Sequence, residues 1–147
     1  MAKYSDARNV QLVIALLKKY GIRNVIASPG TTNVPFVYSV QNDSFFRVRS
    51  AFDERSAAYM ACGLAGESGE PVVLSCTGAT ASRDYMPGLT EAFYRKLPVL
   101  ALTSMHFTED IGNLSTQILD RSVIPNDIAR YHTSLEMIEN ERMAKDE

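Results

Sequence analysis

The stretch from Ala51 to Thr80, "AFDERSAAYMACGLAGESGEPVVLSCTGAT", decides the fold. It opens with an Asp-Glu-Arg run and passes into a segment rich in Ala and Gly. It closes on the apolar run "PVVLSC" and the small residues "TGAT". Asp53 is a natural N-cap, Glu54 suits the positive end of a helix dipole, and Gly69 is a natural stop. This predicts a helix from Glu54 to about Gly69. The uninterrupted apolar run that follows predicts a strand covered on both faces, as in a parallel sheet. Two carboxylates at the mouth of a small-residue helix have a plain reading, capping of the helix. They also have a chemical one, in which Glu54 is a partly buried carboxyl that holds a proton on a ligand heteroatom. Ser56, Ala57, Ala58, Ala61 and Gly63 behind it would let another surface approach closely.

The same alternation extends outward. Ser5 and Asp6 are candidate caps for a helix of about 13 residues ending near Tyr20, with Val10, Val13, Ile14 and Leu17 as its stripe and Gly21 as its stop. "NVIASPG" reads as a short buried strand and a turn. "TTNVPFVYSV" reads as a capped helix with Pro35 in its first turn. "FFRVRSAF" alternates as a strand, "TASRDYMPGLTEAFYRK" is mostly helical, and "LPVLALTS" reads as another buried strand. The order α-β-α-β-α-β-α-β predicts an α/β fold: a three-layer open parallel sheet with helices on both faces. Ligands of such sheets bind outside the carboxyl ends of the strands, here "SPGTTN", "AFDER", "CTGAT" and "TSMHF".

The 147 residues suffice for one domain with a real core. Residues 1–125 form the expected domain. Residues 126–147 become strongly charged and read as a linker or tail leading to domains absent from this chain. A net charge of -2 gives no electrostatic case for nucleic acid or an anionic membrane. No stretch reads as a signal peptide or membrane span. Cys62 and Cys76 lie inside apolar patterns, as small buried hydrophobes of a reducing, cytoplasmic compartment. His106 and His132 lack metal-ligand spacing. The chain has no phosphate-binding loop with Lys in register, no G-x-G-x-x-G and no G-x-S-x-G. "SPGTTN" and "TGAT" each allow a backbone anion site or an ordinary turn. Arg55, Arg83 and Arg121 are candidates for a substrate carboxylate or for surface ion pairs.

Taken together, "VIASPGTTNVPF", "DERSAAYMACGLAGESGEPVVLSCTGATASRDYMPGLTEAFYRKLPVLALTS" and "IGNLSTQILDR" resemble the N-terminal pyrimidine-binding domain of thiamine-diphosphate enzymes. The likeness runs over roughly residues 8 to 125. It is nearest to the 2-succinyl-5-enolpyruvyl-6-hydroxy-3-cyclohexene-1-carboxylate synthase group and more distant from the acetolactate synthase and sulfopyruvate decarboxylase group. The resemblance implies an enzyme that decarboxylates or carboligates a 2-oxo acid, acting as a homodimer or homotetramer. It implies that the Glu54 carboxyl hydrogen-bonds N1′ of the cofactor's aminopyrimidine and so activates thiamine diphosphate. Such a carboxyl works best where burial disfavours its charge.

The resemblance also places Pro29, Gly30, Thr77, Gly78 and Ala79 beside the cofactor, and Thr31, Thr32 and Gln117 toward the substrate. Thr31 and Thr32 stand where the menaquinone-pathway group has Ser-Arg. The family binds diphosphate through Mg²⁺ in a second domain marked by Gly-Asp-Gly, a motif this sequence lacks. The implied partner is therefore a diphosphate-binding domain, in a longer chain or on a separate subunit, and the isolated domain is expected to be inactive. A non-catalytic interaction or regulatory module that keeps the fold is the alternative from another class.

Overall fold

The computed structural model describes residues 4–78, 80–105, 110–114, 118, 120 and 123–135. Four parallel strands, β1 (Asn24–Ala27), β2 (Arg47–Ser50), β3 (Val72–Thr77) and β4 (Val99–Ser104), form one sheet in the order β2-β1-β3-β4. The helices are α1 (Arg8–Lys19), α2 (Val34–Gln41), α3 (Glu54–Ser68), α4 (Ala81–Asp84) and α5 (Met86–Arg95), with a single 3₁₀ turn at Thr31–Asn33. This is the expected three-layer α/β arrangement.

Strand alternation assigns the two faces. Val25 and Ala27 of β1 and Val73 of β3 join Ile14, Leu17, Phe36, Val37 and Val40 under α1 and α2. Ile26 of β1 and Val72, Leu74 and Cys76 of β3 join Ala57, Ala58, Ala61 and Ala65 under α3. Both central strands are buried along nearly their whole length. The sheet order reverses between β1 and β3. The chain leaves β1 toward one face and β3 toward the other, which opens a crevice at their carboxyl ends.

Capping at α3 is as expected. The Asp53 carboxylate accepts from the Ser56 N–H at 2.9 Å, and that backbone bond holds its pKa below the usual range. Gly69 closes the helix at φ 68, in the left-handed region, as Gly21 does after α1 at φ 72.

Other expectations need correction. The residue capping α1 is Ala7, with no side-chain bond. The Ser5 hydroxyl instead accepts from the Ala7 N–H at 3.2 Å, and the Ser5 N–H donates to the Ser39 hydroxyl. β4 is a half-exposed edge strand and not a buried one, with Leu100 and Ala101 facing out. Its apolar run resembles that of β3, but among the described residues only β3 pairs with it. The region after β3 is mostly helical as expected, divided into α4 and α5 at Tyr85, whose own dihedrals stay helical. Pro87 has no N–H for the carbonyl of Arg83, so the hydrogen-bond ladder is interrupted there and resumes in α5.

The small residues of α3 do let other surfaces approach closely, and for most of them those surfaces are the sheet and α5 of the same chain. Ala57, Ala58 and Ala61 are buried, while Ser56 and Gly63 are exposed. A Cβ on Gly88 of α5 would meet the Ala58 Cβ at 2.4 Å. Thus α5 sits on α3 only because both surfaces are small.

On the opposite face, Asp43 ties down the chain's beginning. Its carboxylate pairs with the Lys18 ammonium, accepts from the Tyr4 hydroxyl and accepts from the Phe45 N–H at 3.0 Å. Burial alone would raise its pKa, but Lys18, Tyr4 and the Phe45 N–H outweigh it and hold the carboxyl at about 2. A depressed carboxylate pKa stabilises the fold above its unfolded value and loses that stabilisation as pH falls through the folded value. We therefore expect Asp43→Asn to lower the melting temperature near pH 6 by about 4 °C. The gap to the unsubstituted chain should shrink as pH falls toward about 2. Thermal melts of both chains across that range check it, and a gap independent of pH would refute it.

Candidate active site

The site lies at the carboxyl ends of the strands. The loop after β1 is fixed from within by Asn33, which is fully buried. Its side-chain carbonyl accepts from the Gly30 N–H at 2.8 Å. Its amide donates to the Ser28 carbonyl at 3.3 Å and to the Ser75 hydroxyl at 3.2 Å. The Ser28 N–H donates to the Ser75 carbonyl at 2.9 Å, extending the β1–β3 ladder by one bond. The loop "SPGTTN" is thus held by one side chain against β3. Asn33 directly precedes α2 yet makes no capping bond there. Its residue type suggested a cap, and its bonds across to β3 are not visible in local sequence.

Pro29 and Thr31 are exposed, and Gly30 is half-buried. A Cβ on Gly30 would lie 2.3 Å from the Thr77 Cγ2, so this loop and the end of β3 approach more closely than a side chain permits. Gly78 lies in similar contact with the end of β4, where a Cβ would meet the Ser104 carbonyl oxygen at 2.9 Å. The Thr32 hydroxyl donates to that same carbonyl at 3.0 Å. Thr32 therefore spans from the first loop to β4. Pro29, Gly30, Thr31, Thr32, Thr77 and Gly78 come together around one crevice. Ala79 and Gln117 lie outside the described residues.

Glu54 begins α3 on the rim of this region, half-buried. Helical spacing puts it in line with Ala58, Ala61 and Ala65, the stripe that faces the sheet. Position 54 thus continues this row one turn beyond Ala58, toward the ends of the strands. Beside it Phe52 is fully exposed, and Tyr59 and Met60 show about half their surface on the outer side of α3. Arg55 reaches Asp84 at 3.9 Å, a loose surface pair. The Arg83 guanidinium donates to the Asp120 carbonyl at 3.4 Å, while Arg121 lies outside the described residues.

Two residues at the site carry no signal in the sequence pattern. Tyr85 is 1% exposed and Ser28 3%, and neither hydroxyl has an aligned hydrogen-bond partner. Burial pushes the Tyr85 phenol's pKa up. The Cys76 thiol and the Glu54 carboxylate push the same way, while the Ser28 hydroxyl pulls slightly back. The phenol thus lies beside the Ser28 hydroxyl and the Cys76 thiol, within electrostatic reach of Glu54. Both cysteines are buried and unpaired by disulfide, and the Cys62 thiol donates to the Gly88 carbonyl at 3.1 Å. Among the described residues no three His, Cys, Asp or Glu side chains are grouped to hold a metal ion. None of the described helices is long and apolar enough to cross a membrane.

The contact at Gly30 can be tested directly. Gly30→Ala should destabilise the chain by about 1–3 kcal/mol, the usual scale of overpacking. Thr77→Ser removes the clashing methyl and should recover most of that loss when combined with it. Urea unfolding of the two single variants and the double variant checks the coupling, and additive losses would contradict it.

Residues 8–124 match the family described as thiamine pyrophosphate enzyme, N-terminal TPP binding domain. The chain is 32% identical over 138 residues to the 2-succinyl-5-enolpyruvyl-6-hydroxy-3-cyclohexene-1-carboxylate synthase of Bacteroides thetaiotaomicron. That match covers 94% of this chain and 25% of the relative. It is 43% identical over 101 residues to the synthase of that name from Porphyromonas gingivalis, covering 69% of this chain and 18% of the relative. The chain thus spans a quarter or less of the length of these relatives.

Among solved structures, the thiamine diphosphate-dependent 4-hydroxybenzoylformate decarboxylase of Rhodococcus jostii RHA1 superposes with a TM-score of 0.68 at 22% identity. It covers 76% of this chain and 21% of that one. Benzoylformate decarboxylase from Polynucleobacter necessarius superposes with a TM-score of 0.65 at 23% identity, over 74% of this chain and 20% of that one. These two share the fold. By the match over residues 8–124 and by its relatives, this chain belongs to the family of N-terminal thiamine-pyrophosphate-binding domains of thiamine pyrophosphate enzymes.

Proposed function

We propose that this chain is the pyrimidine-binding half of a thiamine-diphosphate-dependent enzyme that decarboxylates or carboligates a 2-oxo acid, with Glu54 activating the cofactor. The observation that carries this reading is the position of Glu54. It stands on the first turn of α3, half-buried, at the end of the inward stripe and beside the crevice between β1 and β3.

The residues fit one half of such a cofactor. A carboxyl is the right group to hold a proton at a ring nitrogen, because it accepts a charge-assisted hydrogen bond from the protonated ring. When bound, thiamine diphosphate supplies the electron sink for cleaving or forming the bond next to a 2-oxo group. The chain's own part is positional. Asn33 and the close contact at Gly30 keep the first loop rigid beside Glu54, and the Thr32 bond to Ser104 ties that loop to β4. In this reading Pro29, Gly30, Thr77 and Gly78 face the cofactor and Thr31 and Thr32 the substrate, while the roles the resemblance gives Ala79 and Gln117 fall outside the described residues. Thr32 then contributes through its position, since its hydroxyl already donates within the chain.

Glu54 and its neighbours need a second surface. Glu54 is only half-buried, Phe52 just before it is exposed, and Tyr59 and Met60 are exposed further along α3. A fully buried Phe contributes on the order of 2 kcal/mol, so this surface favours a covering partner. We assign that cover to a second copy in a homodimer or homotetramer. A diphosphate-binding domain, in the same longer chain or on a separate subunit, carries Mg²⁺ and the diphosphate. The two buried, unbridged cysteines suit a reducing, cytoplasmic setting.

In the complete enzyme, Glu54→Gln should leave folding nearly intact and lower turnover at least about a hundredfold. The assay is cofactor-dependent loss of 2-oxo acid from a panel, with thiamine diphosphate and Mg²⁺ supplied. Near-normal turnover in the variant would remove Glu54 from the mechanism. A well-folded complete assembly that binds no thiamine diphosphate would leave a module that kept the fold without the chemistry.

A further inference from the structure

Buried hydroxyls without partners are uncommon, because each leaves its desolvation uncompensated. Among the described residues, Ser28 and Tyr85 are two such hydroxyls by the geometry of their surroundings. In extended backbone Ser28 follows Ile26 onto the α3 face of the sheet. Ala27 is in register with Ser75, so the next step sets Ser28 beside Cys76. Tyr85, at the joint between α4 and α5, packs into the same cluster as Ala57, Ala58 and Cys76. Ala57 and Ala58 lie one helical turn from Glu54. The phenol and the Ser28 hydroxyl therefore lie near each other and near the Cys76 thiol, about one helical turn from Glu54, and among the described residues neither has a well-aligned hydrogen-bond partner.

We propose that Tyr85 is a positioning residue for Glu54: its buried hydroxyl, backed by that of Ser28, donates a hydrogen bond to the Glu54 carboxyl when that side chain turns inward. This rests on the reading of Glu54 as the cofactor-activating group. The phenol is suited to the part. Burial keeps it protonated, and the nearby Glu54 charge strengthens that effect. It is thus a fixed donor and not a competing anion. A Tyr there holds its donor by packing, so the carboxyl gains a defined orientation without the phenol moving.

The charged and titratable groups around the pair are few. Asp53 and Arg55 flank Glu54 on α3, Asp84 of α4 pairs with Arg55, and the Cys76 thiol comes from β3. Asp53 is occupied as the helix cap, and Arg55 and Asp84 are exposed. Tyr85 is the neutral donor set deepest behind Glu54 in this group.

Tyr85→Phe removes only the hydroxyl. In the 147-residue chain it should leave the melting temperature unchanged or slightly higher, because an unpartnered buried polar atom is lost. A fall of more than about 3 °C would mean the hydroxyl already has a structural partner, and would overturn the proposal. In the complete enzyme with thiamine diphosphate, Mg²⁺ and a turned-over 2-oxo acid, kcat should fall about tenfold or more with KM little changed. The acid limb of turnover should move by about one pH unit, because the phenol's hydrogen bond biases the protonation of the group it holds and its loss removes that bias.

Ser28→Ala should move the limb the same way by less. An unmoved pH profile with unchanged kcat, in an enzyme whose Glu54→Gln variant is impaired, would refute the role of Tyr85 alone. An unsubstituted enzyme without cofactor-dependent turnover would instead refute the reading of Glu54, and this proposal with it.

Discussion

The distance at which α3 can lie on the sheet governs the rest of this molecule. Ala57, Ala58, Ala61 and Ala65 present almost no side chain to β1 and β3, and Gly88 presents none to Ala58. Dispersion falls steeply with separation, so a close-set helix gains contact that larger residues would have to recover by interlocking. Close setting also has a directional result. The inward stripe of α3 continues past the strand ends, and the next residue on it is Glu54. A carboxyl there is carried toward the crevice by packing that has nothing to do with charge.

The loop after β1 meets the same demand by other means. It has no helix to hold it, so one buried amide does the holding. Asn33 satisfies its carbonyl and amide groups on Gly30, Ser28 and Ser75, which makes the loop part of the β1–β3 ladder. Gly30 then rests against Thr77 at a separation no Cβ would tolerate. The two strand ends on either side of the switch point are thereby locked together. A rigid frame of this kind suits a binding surface whose remaining parts come from elsewhere, since it does not depend on them for its shape.

The legible parts of this structure are those set by nearest neighbours. Asp53, Gly69 and the unbroken run of β3 declare a helix start, a helix stop and a buried strand, and each is found where the residues put it. β4 reads the same as β3 because both are apolar runs of six. Whether a strand is central or at an edge depends on what pairs beside it, which no local pattern records. Ser5 and Asp6 are good caps by type, yet Ser5 is drawn away by the backbone of Ala7 and by Ser39. Glu54 is visible as a carboxyl at a helix mouth. That it stands on the inward face of the helix follows only once α3 is phased against the sheet.

Tyr85 and Ser28 were out of reach for a deeper reason. Nothing distinguishes a Tyr between two short helices, or a Ser at a strand end, until both are buried together without partners. Folding alone would favour Phe and Ala at these places, since those residues would fill the space without stranding an oxygen. A sequence in which every local choice agrees with the fold would contain no such pair, so the exceptions point to demands other than stability. Here they lie on one side of Glu54, and exposed Phe52, Tyr59 and Met60 lie on the other. The inner side is closed and polar where it need not be. The outer side is open and apolar where a lone chain gains nothing from it. Both departures from a self-sufficient domain converge on the same carboxyl, which is the arrangement expected where one half of a shared site meets the other.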